Sequence, residues 1–394
     1  MHPRAVPLLF LALLALFAAC DTADPAAELV DFDRLFAPPS EAEVGSIVAE
    51  WQGRAASGAY DPGLVEVVYA DDLLEDGSTI MILRHTTGAS TDAHYGALRV
   101  PAGAGPFPVI VVHHGGDRGF DLGEYTGFFA GDEAHFEDIG DAAIVVFPTY
   151  RAETMRNTPV GDRASAGAAS PWDRDVDDSL ALLNAVFEVV PEADASRVGQ
   201  IGISRGGGVA LQMAARPLPA DAPYQISTVV NYFGPTDLSS PGFRAAAEAL
   251  ALFDGTFYEQ LPGALFFKNE ILRPLRFGEI GYDEARSQVF RRSAAFYAAR
   301  LPNTQAHHHR RDAVVPFDQF ESLQAGEAQI AGAAEFYAYG QAGSPQAQFH
   351  SLAPEIMPDN GPRTVDFVFT HVIGQEPAST ARAPLAVADP AGAR

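Results

Sequence analysis

The sequence contains one lysine, Lys268, and one cysteine, Cys20. A single cysteine rules out an internal disulfide, even in a compartment that would permit one. Arginine therefore supplies nearly all the positive charge, and the formal net charge is −25. A chain this acidic has no basic run to neutralise phosphates, so no nucleic-acid partner is expected. Long apolar runs are also scarce. The one from Ala5 to Ala19 is too short and too rich in small residues for a spanning helix. What remains is 47% hydrophobic over 394 residues, enough for one large globular domain or two small ones. The acidity suits solubility in an envelope space, and also a high-salt setting where ions screen carboxylate repulsion.

Arg4, the short apolar run and its end at Cys20 fit a bacterial export signal over residues 1–19. Phe17-Ala18-Ala19-Cys20 resembles the lipobox of bacterial lipoproteins, with Phe17 where leucine is more usual. That resemblance implies a lipidated Cys20 and a membrane anchor in the cell envelope, with plain secretion as the alternative. Residues 20–60 read as a tether carrying a short helix. Residues 61–374 read as the folded domain, and the Pro-, Ala- and Ser-rich stretch 375–394 as a disordered tail.

Within the domain, strand-like runs occur at Val65–Tyr69, Thr79–Arg84, Tyr95–Val100, Pro108–His113 and Ile144–Phe147. The pattern predicts a helix over Pro171–Val190 with an apolar face of Val176, Leu180, Leu183 and Phe187. Ser170 as cap, Pro171 in the first turn and Asp173 as capping-box partner mark its start. Asp175, Asp177 and Asp178 are expected to stabilise its N-terminal turn through the helix dipole rather than to hold a metal. Later strands are expected at Ile226–Phe233, Thr304–His308 and Glu335–Tyr339, and a last helix over Arg363–Ile373. Strands alternating with helices imply an α/β fold with a mostly parallel sheet covered on both faces. The first strands lack intervening helices, so that edge is expected to be antiparallel.

The most informative stretch is Gly202-Ile203-Ser204-Arg205-Gly206. The strand-like run Arg197–Ile201 precedes it, and a small-residue helical run from Gly207 to Ala215 follows. A strand turning sharply into a helix strains its corner residue, and flanking glycines make room for the turn. Such a corner presents Ser204 as a nucleophile above a helix N-terminus that favours negative charge.

A nucleophilic serine needs a base, an orienting acid and oxyanion donors, all at the carboxyl ends of strands. The turn His113-His114-Gly115-Gly116 follows the most apolar strand and offers the backbone of Gly115 and Gly116 as donors. The N–H of Arg205 is the expected second donor. Asp312 is the candidate acid and His350 the candidate base. Asp237, read as a turn or helix cap, and His371, inside the last helix, are the rivals. Adjacent strand residues point to opposite faces, so His307, His308 and His309 cannot all converge on one zinc ion.

These segments resemble the α/β-hydrolase superfamily, in its prolyl oligopeptidase and dienelactone hydrolase branch. The resemblance rests on Tyr95–Pro101, Val111–Gly116, Asp194–Gly207 and Asp312–Pro316, within about residues 65–373. His309 and Arg310 stand where the family usually has Gly and Thr ahead of its acid. The resemblance implies an acyl-enzyme mechanism with Ser204 as nucleophile, His350 as proton relay and Asp312 orienting it. No cofactor or metal is implied. The expected substrate is a small ester or a short peptide. Only about 45 residues separate Cys20 from the first strand, too few for the propeller that precedes many peptidases of this branch. Carboxylic ester hydrolysis is therefore the first expectation, prolyl oligopeptidase-like peptidase activity the second, and a non-catalytic binding protein of the same fold the third. Aromatic residues between about 240 and 303 (Phe243, Phe253, Phe257, Tyr258, Phe266, Phe267, Phe277 and Phe290) either form an apolar cap over the serine or are ordinary core.

Overall fold

The computed structural model describes residues 30–71, 77–128, 136–252 and 257–374. Cys20, Phe253, the expected export signal and the expected tail lie outside the described residues. The main sheet consists of β1 (Val65–Asp71), β2 (Thr79–His85), β3 (His94–Val100), β4 (Phe107–His113), β5 (Ile144–Thr149), β6 (Ala193–Ile203), β7 (Ile226–Tyr232), β8 (Asn303–His309) and β9 (Ala334–Tyr339). Its order is β1-β2-β3-β5-β4-β6-β7-β8-β9. Pairing is antiparallel from β1 through β3 to β5, and parallel from β5 to β9. The expected antiparallel edge is present, because hairpin-like links join those first strands.

Both faces of the sheet are buried, so its central strands read as continuous apolar runs. In β4, Val109 and Val111 enter one core while Ile110 and Val112 enter the other. The first core packs against α2 (Arg174–Val189) and α3 (Arg205–Ala215), through residues such as Val176, Leu180 and Val209. The second packs against α6 (Asn360–Val368) through Val365 and Val368. Between β7 and β8 lies a helical insertion that includes α4 (Pro241–Leu252) and α5 (Tyr282–Phe290).

Three features differ from the sequence reading. Residues 30–60 are not a tether. Helix α1 (Glu41–Ala56) starts at a complete Ser40/Glu43 capping box and places Ile47 and Trp51 in the first core, where Tyr60 beyond its end joins them. Arg54 on α1 reaches Asp173 at 2.7 Å and Asp177 at 3.2 Å, which ties the segment to α2 by buried charges.

The second difference is the start of α2, which falls at Arg174, three residues late and without a capping box. Trp172 takes φ of 59°, a left-handed turn that breaks the predicted first turn and sends its indole toward the end of β6. Third, Asp175, Asp177 and Asp178 do more than stabilise a helix end. All three are buried against arginines: Asp175 on Arg205, Asp178 on Arg151, and Asp177 on Arg54 and Arg174. A small second sheet, Gly119–Asp121 with Thr154–Arg156 and Arg163–Ala164, joins the loops after β4 and β5; the sequence reading missed it.

Candidate active site

Strand β6 ends at Ile203 and α3 begins at Arg205, so Ser204 alone makes the corner, with φ 55° and ψ −127°. Backbone strain of this kind costs about 1–3 kcal/mol and persists only where its surroundings enforce it. The enforcement comes from two close approaches. A methyl group on Gly202 would lie 2.3 Å from the Gly206 carbonyl oxygen, and one on Gly206 would lie 2.2 Å from that of His113. Only hydrogen fits at either position, so α3 can press against the end of β4. The Ser204 N–H donates to the Tyr232 carbonyl at 2.9 Å, which fixes the corner to the end of β7.

The structure brings the three candidate side chains together. His350 Nε2 lies 2.8 Å from Ser204 Oγ, and His350 Nδ1 lies 2.7 Å from Asp312 Oδ2. An Nδ1–H donated to the carboxylate leaves the Nε2 lone pair facing the serine hydroxyl; this tautomer follows from the hydrogen-bond network. Asp312 is buried, and its other oxygen accepts the N–H groups of Val314 at 2.8 Å and Val315 at 3.1 Å. His308 stands 3.6 Å from Asp312 Oδ2 and donates its Nε2–H to the Val315 carbonyl at 2.9 Å. Burial lowers its pKa to about 4, so at neutral pH it supports the acid loop without adding charge.

His350 reaches the site from the short helical turn Ala347–Phe349, past the end of β9. The Gln346 N–H donates to the Arg311 carbonyl at 2.8 Å, tying the histidine loop to the acid loop. Here His309 and Arg310 find a use. The His309 ring stacks on Phe349 at 4.2 Å, next to His350, and the Arg310 guanidinium lies over Phe317 at 5.0 Å. Ring contacts from His309 and Arg310 hold this loop in place. Phe233 packs on the His350 ring at 4.4 Å.

Gly115 lies against the serine: a methyl group on it would be 3.0 Å from Ser204 Cβ. Gly116 has φ of 77° and faces open space. Arg205 is the first residue of α3, and the first N–H groups of a helix have no intrahelical acceptor. Gly115 and Arg205 therefore border the serine, and Gly116 follows Gly115 in the same turn.

The Arg205 side chain turns the other way, which the sequence reading did not anticipate. Its guanidinium is buried on Glu153, on Asp175 at 2.5 Å and on the Gly116 carbonyl at 3.1 Å. Glu153 also accepts the Gly119 N–H at 2.9 Å and lies 3.5 Å from His114 Nε2. Burial, with Asp175 nearby, raises the Glu153 pKa to about 7 against the opposing pull of Arg205. An arginine beside a serine and several acids in a helix start were the available signals, but nothing in the spacing revealed their pairing.

The rivals are placed elsewhere. Asp237 Oδ1 accepts the Ser239 N–H at 2.8 Å in a local turn and Oδ2 accepts from Ser322, as its turn reading expected. His371 packs edge-on to Phe367 at the end of the last helix. His307 stacks on Tyr232 on one face of β8, while His308 meets Phe317 and Phe320 on the other.

The aromatic residues of the insertion divide. Phe243 and Tyr258 line a cavity beside Ser204, Phe267 and Phe290 are core, and Phe257 and Phe277 are exposed.

With the sheet order, the serine corner and these loops in view, the chain has the α/β-hydrolase fold. No protein-family profile matches the sequence, and neither does any curated protein. Solved structures do resemble it. Acetyl xylan esterase from Paenibacillus sp. R4 matches at 17% identity and TM-score 0.55, over 87% of this chain and 100% of that one. Acetyl xylan esterase 1 from Thermoanaerobacterium sp. JW/SL YS485 matches at 16% identity and TM-score 0.52, over 86% and 98%. The rice cell wall degrading esterase LipA from Xanthomonas oryzae matches at 13% identity and TM-score 0.51, over 80% and 99%. At such identities the likeness is one of fold.

Proposed function

We propose that this protein is a serine hydrolase that cleaves carboxylic esters through an acyl-enzyme on Ser204. The observation that carries the proposal is the continuous hydrogen-bond relay from Asp312 through His350 to Ser204. His350 takes the serine proton as Oγ attacks the carbonyl, and Asp312 stabilises the imidazolium that forms. The N–H groups of Arg205 and the Gly115–Gly116 turn receive the oxyanion. His350 then returns its proton to the leaving alcohol, and water repeats the sequence to release the acid. Three of the similar structures are esterases by name, which favours an ester over a peptide.

Labelling with a fluorophosphonate probe tests the proposal. Ser204 is expected to label and Ser204→Ala to be blank; a folded preparation that neither labels nor turns over ester would favour a binding protein of this fold. Nitrophenyl esters are expected to turn over faster than prolyl amides, and the reverse order would favour a peptidase. The lipobox-like Phe17–Cys20 supports attachment to the cell envelope through lipidated Cys20. Metabolic labelling with a fatty acid is expected to mark the wild type and not Cys20→Ala.

A further inference from the structure

The cavity beside Ser204 differs in character from the rest of the site. Its walls are Trp172 and Pro235, the insertion residues Phe243, Leu250 and Leu261, and Val314 of the acid loop. The polar side chains that border it are spent elsewhere. Gln319 Oε1 accepts the N–H groups of Thr236 and Asp237, both at 2.8 Å. Its Nε2 donates to the Asp237 carbonyl at 2.7 Å and to Ser240 Oγ. The Trp172 indole N–H donates to the Arg205 carbonyl at 3.0 Å, and the Arg205 guanidinium is consumed by Glu153 and Asp175. Among the described residues, the lining's side-chain polar atoms without a hydrogen bond are the Tyr258 hydroxyl and the Arg205 Nε. A pocket of this kind repays buried methylenes and offers almost nothing to a hydroxylated group.

The walls are also fixed in place. Trp172 sits in a slot where a methyl group on Gly208 would lie 2.7 Å, and one on Gly263 2.5 Å, from its ring atoms. Helix α4 is fastened to the helix that follows the acid loop, Asp318–Ala325, by the Gly242 N–H donating to Asp318 Oδ2 at 2.5 Å. Position decides which half of an ester enters. The leaving alcohol must stand by His350 Nε2, which gives it a proton, whereas the cavity is bounded by Ser204 and Arg205 and not by His350. Its volume is about 80 Å³. At about 10–15 Å³ per water-sized group, that is room for about six non-hydrogen atoms.

Resting on the esterase reading, we infer that this cavity is an acyl pocket selecting uncharged-chain esters of apolar acids of about four to six carbons, rather than acetyl esters. With the alcohol held constant, kcat/KM for nitrophenyl esters is expected to rise about 15-fold from acetate to butanoate, the increment of two buried methylenes. It is expected to decline beyond hexanoate. Lengthening the alcohol of acetate esters is expected to change little. Leu261→Trp, which narrows the pocket, is expected to lower the butanoate-to-acetate ratio about tenfold. Acetate preferred over butanoate, or chain-length selection on the alcohol instead, would overturn the inference.

A binding measurement separates this inference from the esterase reading. Trp172 is one of two tryptophans in the chain; the other, Trp51, packs at a tilt against Tyr297 in the core. In Ser204→Ala, hexanamide is expected to shift the tryptophan fluorescence saturably, at a concentration at least tenfold below any effect of acetamide. Equal or absent responses would overturn the pocket assignment even if the wild type hydrolyses esters. A hexanamide response from a protein that turns over no ester would uphold the pocket and reject the esterase.

Discussion

Asp312 is the residue on which the relay turns, since it holds His350 by Nδ1 while two backbone N–H groups hold its other oxygen. Asp312→Asn keeps the shape but favours the wrong imidazole tautomer, so kcat is expected to fall on the order of 10³- to 10⁴-fold with KM little changed. Steady-state kinetics on a nitrophenyl ester check this, and a loss below tenfold would remove Asp312 from the role. Gly206 tests the strained corner. Its missing methyl is what lets α3 reach the His113 carbonyl, so Gly206→Ala is expected to cost about 1–3 kcal/mol by overpacking. Urea denaturation would reveal it as an earlier midpoint. Ser204, Asp312 and His350 were legible in the sequence because each follows a strand or turn whose place on the sheet rim is set by chain order. Glu153 and Trp172 were not. Their roles depend on where a side chain points after a left-handed turn or a short strand, and no periodicity encodes that.

Among the elements, α1 gained most from the structure. Its stretch read as a tether because prolines flank it, yet Trp51 is buried and packs at a tilt against Tyr297, with ring centroids 4.6 Å apart. Arg54 at its end shares the buried carboxylates of Asp173 and Asp177 with Arg216. Arg54→Ala removes one of several arginines from these carboxylates and is expected to cost about 1–3 kcal/mol. A chain shortened to begin after residue 60 is expected to lose cooperative thermal unfolding, and unchanged unfolding would return the segment to a tether. The α2 start was misread for a related reason. Ser170, Pro171 and Asp173 form a good local start signal, but the Trp172 slot between Gly208 and Gly263 overrode it. The strands fared better, since a sheet buried on both faces leaves long apolar runs in the sequence.

For the molecule as a whole, ionisation of buried groups governs the pH response. Burial holds His85, His113 and His308 at about 4, and His114 and His307 at about 3. The unfolded chain binds protons at about 6.5 where the native state does not, so stability is lost as pH falls from 6.5 toward 4. Glu153, raised to about 7, works in the opposite sense by keeping its proton in the native state across about 4.5–7. The lowered imidazoles, His94 and His309 among them, outnumber the raised carboxyls of Glu153, Asp175 and Asp177. The melting temperature is therefore expected to fall between pH 7 and 5, and a rise over that interval would contradict the balance. The net charge of −25 makes a second expectation: added salt should raise the melting temperature by screening self-repulsion, and a flat response would dispose of the high-salt idea. Among the described residues no helix is long and apolar enough to cross a membrane.

The acyl-enzyme on Ser204 is the central claim, and acid-quenched mass spectrometry reads it most directly. During turnover of nitrophenyl butanoate, the account predicts a butanoyl adduct on the peptide containing Ser204. It also predicts that the adduct forms within the first turnover and is absent in Ser204→Ala. Turnover with no adduct, or a Ser204→Ala protein that hydrolyses the ester at the wild-type rate, would contradict it.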